Sequence, residues 1–169
     1  YSLLTSKKQT LLHDLFQSYE REELVETFLQ KLKTNLNKSD ISVLFFEQDN
    51  MFNGTVLMYA ARSVDGKCFR QFWNFMKEFL KDESEVKRLL MIEDIALVTA
   101  LQFAAMNKDP SSFSFMKEIY TTYFSPTKIK EILSRTHDGF LSFVSNIIEQ
   151  ASFDTAKTVG NYLQEFFHD

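Results

Sequence analysis

The chain has 169 residues and a net charge of −4, and its acidic and basic side chains are interspersed along its length. No basic block is present to follow a phosphate backbone, which argues against nucleic acid as a partner. No apolar run approaches the ~18 residues that a membrane span needs. Phenylalanine is abundant at 18 copies, whereas glycine (4) and proline (2) are scarce. Few helix breakers and many large apolar side chains favour helices packed on helices, so the sequence predicts an all-α fold.

The start of the chain and its cysteine content bear on its origin. The chain begins with Tyr1 rather than Met and lacks a signal-peptide pattern, so we expect it to be a piece of a longer protein. The single Cys68 excludes an internal disulfide and fits a reducing compartment. An intracellular, cytoplasmic location is the resulting expectation.

A short phrase recurs along the chain with nearly constant spacing. It begins at Thr10, Thr55 and Thr99, which lie 45 and 44 residues apart, and a weaker echo begins near Gly139. A period of this size is typical of a chain that stacks one supersecondary unit. The sequence therefore predicts a single domain over 1–169, built as a helical repeat solenoid. Its four units are 9–52, 53–96, 97–138 and 139–167.

Each of the first three units is predicted to open with a short helix capped by the recurring threonine. The apolar stripes of these helices are Leu12, Leu15 and Phe16, then Leu57, Ala60 and Ala61, then Leu101, Ala104 and Ala105. Alanine pairs allow a neighbouring helix to approach closely, so we expect these helices to lie against one another.

A longer helix follows in each unit, because apolar residues recur there with a period near 3.6. Turns are predicted just before the second and third of these helices, at Asp65-Gly66 and Asp109-Pro110. The predicted buried faces run from Leu24 to Leu36, from Phe69 to Leu80, from Phe113 to Tyr123 and, in the last unit, from Phe153 to Phe166.

A third, short amphipathic helix is predicted to close each of the first three units. Ser39, Ser84 and Ser125 are expected to cap these helices, and Pro126 occupies the first helical position of the last. Acidic connectors then lead into the next unit, at 49–54, 93–94 and 137–139.

The phrases Thr55-Val56-Leu57-Met58-Tyr59-Ala60-Ala61 and Thr99-Ala100-Leu101-Gln102-Phe103-Ala104-Ala105 resemble the Thr-Pro-Leu-His-x-Ala-Ala signature of ankyrin repeats. Thr10-Leu11-Leu12-His13 retains the signature histidine, and Asn53-Gly54-Thr55 and His137-Asp138-Gly139 resemble the family's Asp-Gly-x-Thr entry. The period exceeds the family's ~33 residues, the signature proline is missing and most closing glycines are gone. The Ser-led third helix accounts for the extra length. The resemblance therefore implies divergent ankyrin-like repeats, each with an additional short helix.

The resemblance also implies which residues bind a partner. In the ankyrin arrangement, variable positions of the first helices line a concave face, and the connector tips extend it. The expected partner-binding residues are Asp14, Gln17, Tyr59, Arg62, Phe103 and Met106 on the helices, and Met51 and Phe52 on a connector. Tyr, Arg, Phe and Met are enriched at protein interfaces. The alternative for Phe103 and Met106 is that neighbouring connectors cover them.

Residues with catalytic or metal-binding chemistry are few and separated. Cys68 lies beside Phe69 at the start of a long helix, where a packed thiol is favoured over a nucleophile. The three histidines lack partners at metal-ligand spacing, and His13 is expected to bridge adjacent connectors by a hydrogen bond. Glu22, Glu23 and Glu26 are expected on a solvated helix face. No enzyme, cofactor or metal site is predicted.

The leading hypothesis is a non-catalytic scaffold that binds another protein through its concave face and connector tips. The alternative is a compact helical bundle that holds a small apolar or lipid-like ligand, suggested by the phenylalanine content. An enzyme assembled from distant residues ranks third. Self-association stays open at this point.

Overall fold

The computed structural model describes residues 11–17, 22–135 and 140–167, which fold into eleven α-helices. The predicted all-α class is confirmed. In chain order the helices are α1 (Leu11–Gln17), α2 (Glu22–Asn35), α3 (Lys38–Phe46), α4 (Val56–Ser63), α5 (Gly66–Phe79), α6 (Glu83–Leu90), α7 (Ala100–Ala105), α8 (Pro110–Tyr123), α9 (Pro126–Ser134), α10 (Phe140–Gln150) and α11 (Phe153–Phe167). The only β feature within the described residues is an isolated antiparallel bridge between Gln48 and Thr55.

Short polar side chains fix where several helices begin. The Asp65 carboxylate accepts a hydrogen bond from the Cys68 N–H at 2.8 Å, which satisfies a backbone donor in the first turn of α5. Asp109 does the same for α8, and Pro110 follows it at the first helical position. Ser125 caps α9 as the sequence predicted.

Two of the predicted serine caps are wrong. Asn37 caps α3, accepting from the Asp40 N–H at 2.9 Å, so Ser39 lies inside the helix. Asp82 caps α6, accepting from the Ser84 N–H at 2.8 Å, so Ser84 is helical as well. Asn and Asp cap helices as well as Ser does. Each lies two residues before the predicted serine and starts its helix earlier.

The helices pack in a regular order along the chain. The first helices of the predicted units lie side by side, with α1 against α4 and α4 against α7. The longer helices form a second row in which α2, α5, α8 and α11 contact one another in that order. The short helix α3 packs on α4 and α5, while α6 and α9 both contact α8. The core therefore lies between two rows of helices.

Aromatic side chains fill much of this core. Five phenylalanines are essentially inaccessible to solvent: Phe16, Phe45, Phe69, Phe72 and Phe113. The rings of Phe16 on α1 and Phe72 on α5 lie 4.6 Å apart, and Phe113 on α8 lies edge-on to Tyr162 on α11. Two residues of the predicted buried faces are instead exposed, Leu24 at 43% and Phe153 at 82%, because each lies in the first turns of its helix, off the packed face.

Helices α5 and α8 approach closely because the chain has glycine at the contact. A Cβ atom built on Gly66 would lie 2.1 Å from the Ser111 Oγ and 3.0 Å from the Ser111 backbone carbon. The Gly66 N–H donates to the Asp109 carboxylate at 2.7 Å, and the Ser112 hydroxyl donates to the Val64 carbonyl at 2.8 Å. Two hydrogen bonds, each between a main-chain group and a side chain, thus join the segments at the starts of the two helices.

The contacts between successive long helices share one arrangement of side chains, which we call the junction triplet. A basic residue on one helix lies over an aromatic ring of the next and pairs with a glutamate three positions after that ring. The triplets are Lys33 with Phe75 and Glu78, Arg70 with Phe115 and Glu118, and Lys117 with Tyr162 and Glu165. The cation lies 4.1 to 5.7 Å from the ring centre.

Several predicted features lie outside the described residues. These are the Thr10 cap, the connector at 137–139 and His168. Within the parts of the chain that are described, none of the helices combines the length and the apolar character that crossing a bilayer requires.

Candidate functional site

The connector between α3 and α4 is a tight loop held by one carboxylate. Asp49 is 1% exposed and accepts hydrogen bonds from the N–H groups of Met51, Phe52 and Gly54 at 2.7 to 2.9 Å. The Tyr59 hydroxyl donates a fourth, at 2.9 Å. Burial raises the pKa of Asp49, but these four hydrogen bonds outweigh burial and hold the pKa below its ordinary 3.8. The loop therefore has a fixed shape that directs its tip outward.

The connector between α6 and α7 repeats this design. One oxygen of Asp94 accepts from the Ala96 N–H at 2.9 Å and from the Val98 N–H at 2.8 Å. Burial raises the pKa of Asp94 despite these bonds. Asn53 in the first loop and Leu97 in the second adopt left-handed backbone, with φ of 55° and 61°. Asn tolerates this conformation, whereas for Leu it costs about 1–2 kcal/mol.

The two connectors lie against each other. The Ile95 N–H donates to the Phe52 carbonyl at 2.9 Å, and the Gln48 side-chain amide donates to the Asn53 carbonyl at 2.6 Å and the Glu93 carbonyl at 3.3 Å. Main-chain carbonyls accept all three of these hydrogen bonds. The apolar side chains at the tips take no part in them and stay available for contact with a partner.

The tips carry a group of exposed apolar side chains, which we call the tip patch. Its members are Met51 (53% exposed), Phe52 (50%), Ile95 (54%) and Leu97 (37%). Large apolar residues exposed next to one another mark candidate interaction surfaces, whereas single ones are ordinary. Sequence analysis identified Met51 and Phe52 but missed Ile95 and Leu97. An apolar pair directly after the loop-forming Asp94 is the signal that points to them.

His13 on α1 reaches the first connector through a hydrogen bond, as the sequence predicted, while a bridge between adjacent connectors stays a prediction. Its ring is fully buried, and Nε2 lies 3.1 Å from the Gly54 carbonyl oxygen, so this nitrogen carries the proton. The ring also meets Tyr59 edge-on at 5.5 Å. Burial lowers the pKa of His13 from its ordinary 6.5, against the raising effects of the Gly54 hydrogen bond and nearby carboxylates. His13 thus stabilises the loop that presents the tip patch.

The residues expected on a concave face differ in their exposure in the structure. Asp14, Tyr59 and Arg62 are half-buried, and the side chain of Gln17 lies outside the described set. Tyr59 donates to Asp49, and Arg62 donates to the side-chain oxygen of Gln150 at 2.8 Å. Tyr59 and Arg62 therefore already have structural roles within the chain.

The expectation that Phe103 and Met106 are exposed is wrong. They are 8% and 9% exposed, and α7, which carries Phe103, packs against the helices α4, α8 and α11. Their burial agrees with the alternative, but cover by neighbouring connectors stays a prediction.

Of the candidate catalytic residues, Cys68 and Glu26 are placed as the packing interpretations predicted. Cys68 is 1% exposed within α5, and Glu26 is exposed on α2; the side chains of Glu22 and Glu23 lie outside the described set. Among the described residues, no three His, Cys, Asp or Glu side chains are grouped so that they could ligate a metal ion.

Comparison with known proteins adds no relative. No protein-family model, curated protein or solved structure matches the chain. The functional argument therefore depends on the residues themselves.

Proposed function

We propose that the chain is a non-catalytic protein-interaction module, a divergent ankyrin-like stack of helical units that binds a protein partner chiefly through its connector tips. An intracellular, cytoplasmic location belongs to the same proposal. The tip patch is the observation that carries it.

The order of helix contacts supports the repeat part of the proposal. The first helices of the first three units contact one another in order, α1 with α4 and α4 with α7, and the long helices α2, α5, α8 and α11 do the same. Equivalent positions also make equivalent bonds. His13 in the first unit reaches the Gly54 carbonyl, and Gln102, at the same place in the third, donates to the Arg135 carbonyl at 3.2 Å.

The rigidity of the tips supports the binding part. The Asp49 and Asp94 carboxylates fix both loops before any partner arrives, so little conformational entropy is lost on binding. Met and Phe are enriched in interfaces, and a few such anchors carry most of the binding energy. Asp14, Gln17, Tyr59 and Arg62 are proposed as the margin of the same surface.

The test is affinity capture from the source lysate with three baits of equal helicity by circular dichroism. One is the native chain, and the second carries Phe52→Ser and Ile95→Ser, which remove tip side chains but keep the main-chain bond between them. The third is a control with Phe153→Ser and Ile148→Ser, which removes apolar side chains from α10 and α11 that are more exposed than those of the tips.

We expect a protein retained by the native and control baits and lost from the tip variant. Equal retention by all three baits would place the contact elsewhere and contradict the role of the tip patch. Capture of nothing by the native bait would contradict the module itself.

A further inference from the structure

A groove lies between the short helices α3 and α6, next to the start of the first connector. It has a volume of about 950 Å³ and is open on one side, and we call it the α3–α6 groove. Val43 and Phe46 of α3 and Phe79 at the end of α5 supply its apolar lining, and Lys38, Lys81 and Arg88 lie at its edges. Both helices belong to the third elements, which a two-helix repeat lacks.

The lining of the groove offers apolar contact. Val43 is 53% exposed, and Phe46 and Phe79 are half-buried and packed on the core. The Arg88 guanidinium lies 4.0 Å from the centre of the Phe46 ring. An arginine stacked in this way keeps the N–H groups at its edge directed sideways, where they are able to bind a carboxylate in bidentate geometry.

The charges around the groove are not balanced. Among the described residues, no carboxylate lies within ion-pair distance of Lys38 or Arg88. Glu85 is already engaged, since it accepts from the Lys81 N–H at 2.8 Å and lies 3.9 Å from the Lys81 ammonium. Glu47 is the remaining acidic lining residue. Two unpaired cations against one unpaired carboxylate favour an acidic occupant.

We propose that the α3–α6 groove binds an acidic amphipathic peptide segment of another protein. Bulky apolar side chains of the segment contact Val43, Phe46 and Phe79, and its carboxylates pair with Lys38 and Arg88. Amphipathic helices bind apolar grooves in this way. The nine residues of α3 give a wall about 13 Å long, matching between two and three turns of a bound helix. An open groove suits such a segment better than a small ligand, which needs enclosure.

The proposal is independent of the tip patch, because the two surfaces share no residue. It is tested on the whole chain by panning a phage-displayed library of random peptides about 14 residues long, enough for roughly four helical turns. Enriched peptides are then synthesised, and their binding is measured by fluorescence polarisation. The variant is Lys38→Glu with Arg88→Glu, and Lys157→Glu on the exposed face of α11 is the matched charge reversal.

We expect enriched peptides to be acidic with spaced apolar residues and to lose about tenfold in affinity with the double variant, since two exposed ion pairs are removed. They should bind the Lys157→Glu chain and the Phe52→Ser/Ile95→Ser chain as tightly as the native one. Arg88→Lys should lose less than Arg88→Glu. The Phe52→Ser/Ile95→Ser chain separates failure of this proposal from failure of the tip patch.

Three results would overturn the proposal. The first is enrichment of peptides without acidic residues, and the second is equal binding to the double variant when circular dichroism shows that it is folded. The third is no enrichment at all. If no peptide is enriched but the native chain binds dodecanoate and the double variant does not, the groove instead takes a lipid anion.

Discussion

At the scale of single residues, one position shows how a repeated phrase uses different side chains for one task. His13 and Gln102 occupy the same place in the phrase, and each reaches a main-chain carbonyl in the following connector. Met58 is the equivalent residue in the second copy of the phrase, and its sulfur accepts a hydrogen bond from the Thr55 N–H at 3.4 Å. The same position of the phrase is therefore filled by His, Met or Gln, each of which makes a different contact.

His13 makes the stability of the protein depend on pH. Because folding lowers its pKa below 6.5, the unfolded chain takes up the proton first as the pH falls. The stability contributed by neutral His13 is complete above pH 6.5 and is lost as the pH falls through the interval down to the folded-state pKa. Urea denaturation of the native chain from pH 7.5 to 5 should show this loss.

The matched control is His13→Gln, which uses the residue found at Gln102 and keeps a donor for the Gly54 carbonyl. The variant should be nearly as stable as the native chain at pH 7.5 and should lose less stability toward pH 5. An identical pH profile for both chains would show that His13 does not titrate in this way.

For single residues, the sequence predicted hydrogen bonding and burial better than it predicted which other elements a residue contacts. The hydrogen bond from His13 to the first connector followed from its phrase, and the burial of Ala60, Ala61, Ala104 and Ala105 followed from helical spacing. Spacing identifies a face of a helix but not the distant element that covers it. The covering of Phe103 and the bond from Arg62 to Gln150, 88 residues away, were therefore out of reach.

At the scale of elements, the contact between α5 and α8 depends on the absence of a side chain at Gly66. A methyl group there would overlap Ser111, whose backbone as well as its side chain lies in the way. Gly160 in α11 has no such role, because a Cβ atom built there would meet nothing within 4 Å.

These two glycines therefore make a matched pair. Gly66→Ala should destabilise the fold by about 1–3 kcal/mol through overpacking. Gly160→Ala should stabilise it by about 0.5–1 kcal/mol, because alanine loses less backbone entropy in a helix. Both changes add one methyl group, and urea denaturation at pH 7.5 measures them. Equal effects in the two variants would contradict the close approach of α5 and α8.

Helix starts show where element prediction succeeds and where it stops. Ser125 with Pro126 has no competitor and starts α9 as predicted. Ser39 and Ser84 each compete with an Asn or Asp two residues earlier, and the earlier residue prevails. Propensities alone rank these candidates equally, so the choice depends on the packing of the following helix.

At the scale of the whole molecule, each part of the chain is stabilised mainly by its neighbours in sequence. Helix α4 is covered by both α1 and α7, whereas α11 contacts α7, α8 and α10. In such an arrangement, terminal parts open before central ones. Composition does not predict such contacts, whereas the spacing of the threonines led us to expect contacts among α1, α4 and α7, and α4 does contact both α1 and α7. The repeat stack itself stays a prediction.

Native-state hydrogen exchange of the full chain tests this expectation. Amides of α11 should exchange through an opening of lower free energy than amides of α4, with a smaller dependence on urea, since less surface is exposed. Exchange of both helices through one opening with the same free energy and urea dependence would show a single cooperative unit instead of a stack.

The junction triplets give the molecule a direction. In all three, the cation comes from the helix nearer the start of the chain, and the ring and glutamate come from the helix that follows. Turning one helix pair around would set cation against cation and leave the aromatic rings uncovered. The contacts therefore differ on the two sides of each inner long helix and define a direction along the row. We expect a transplanted long helix to form these contacts only when its cation faces the helix that follows and its ring and glutamate face the helix that precedes it.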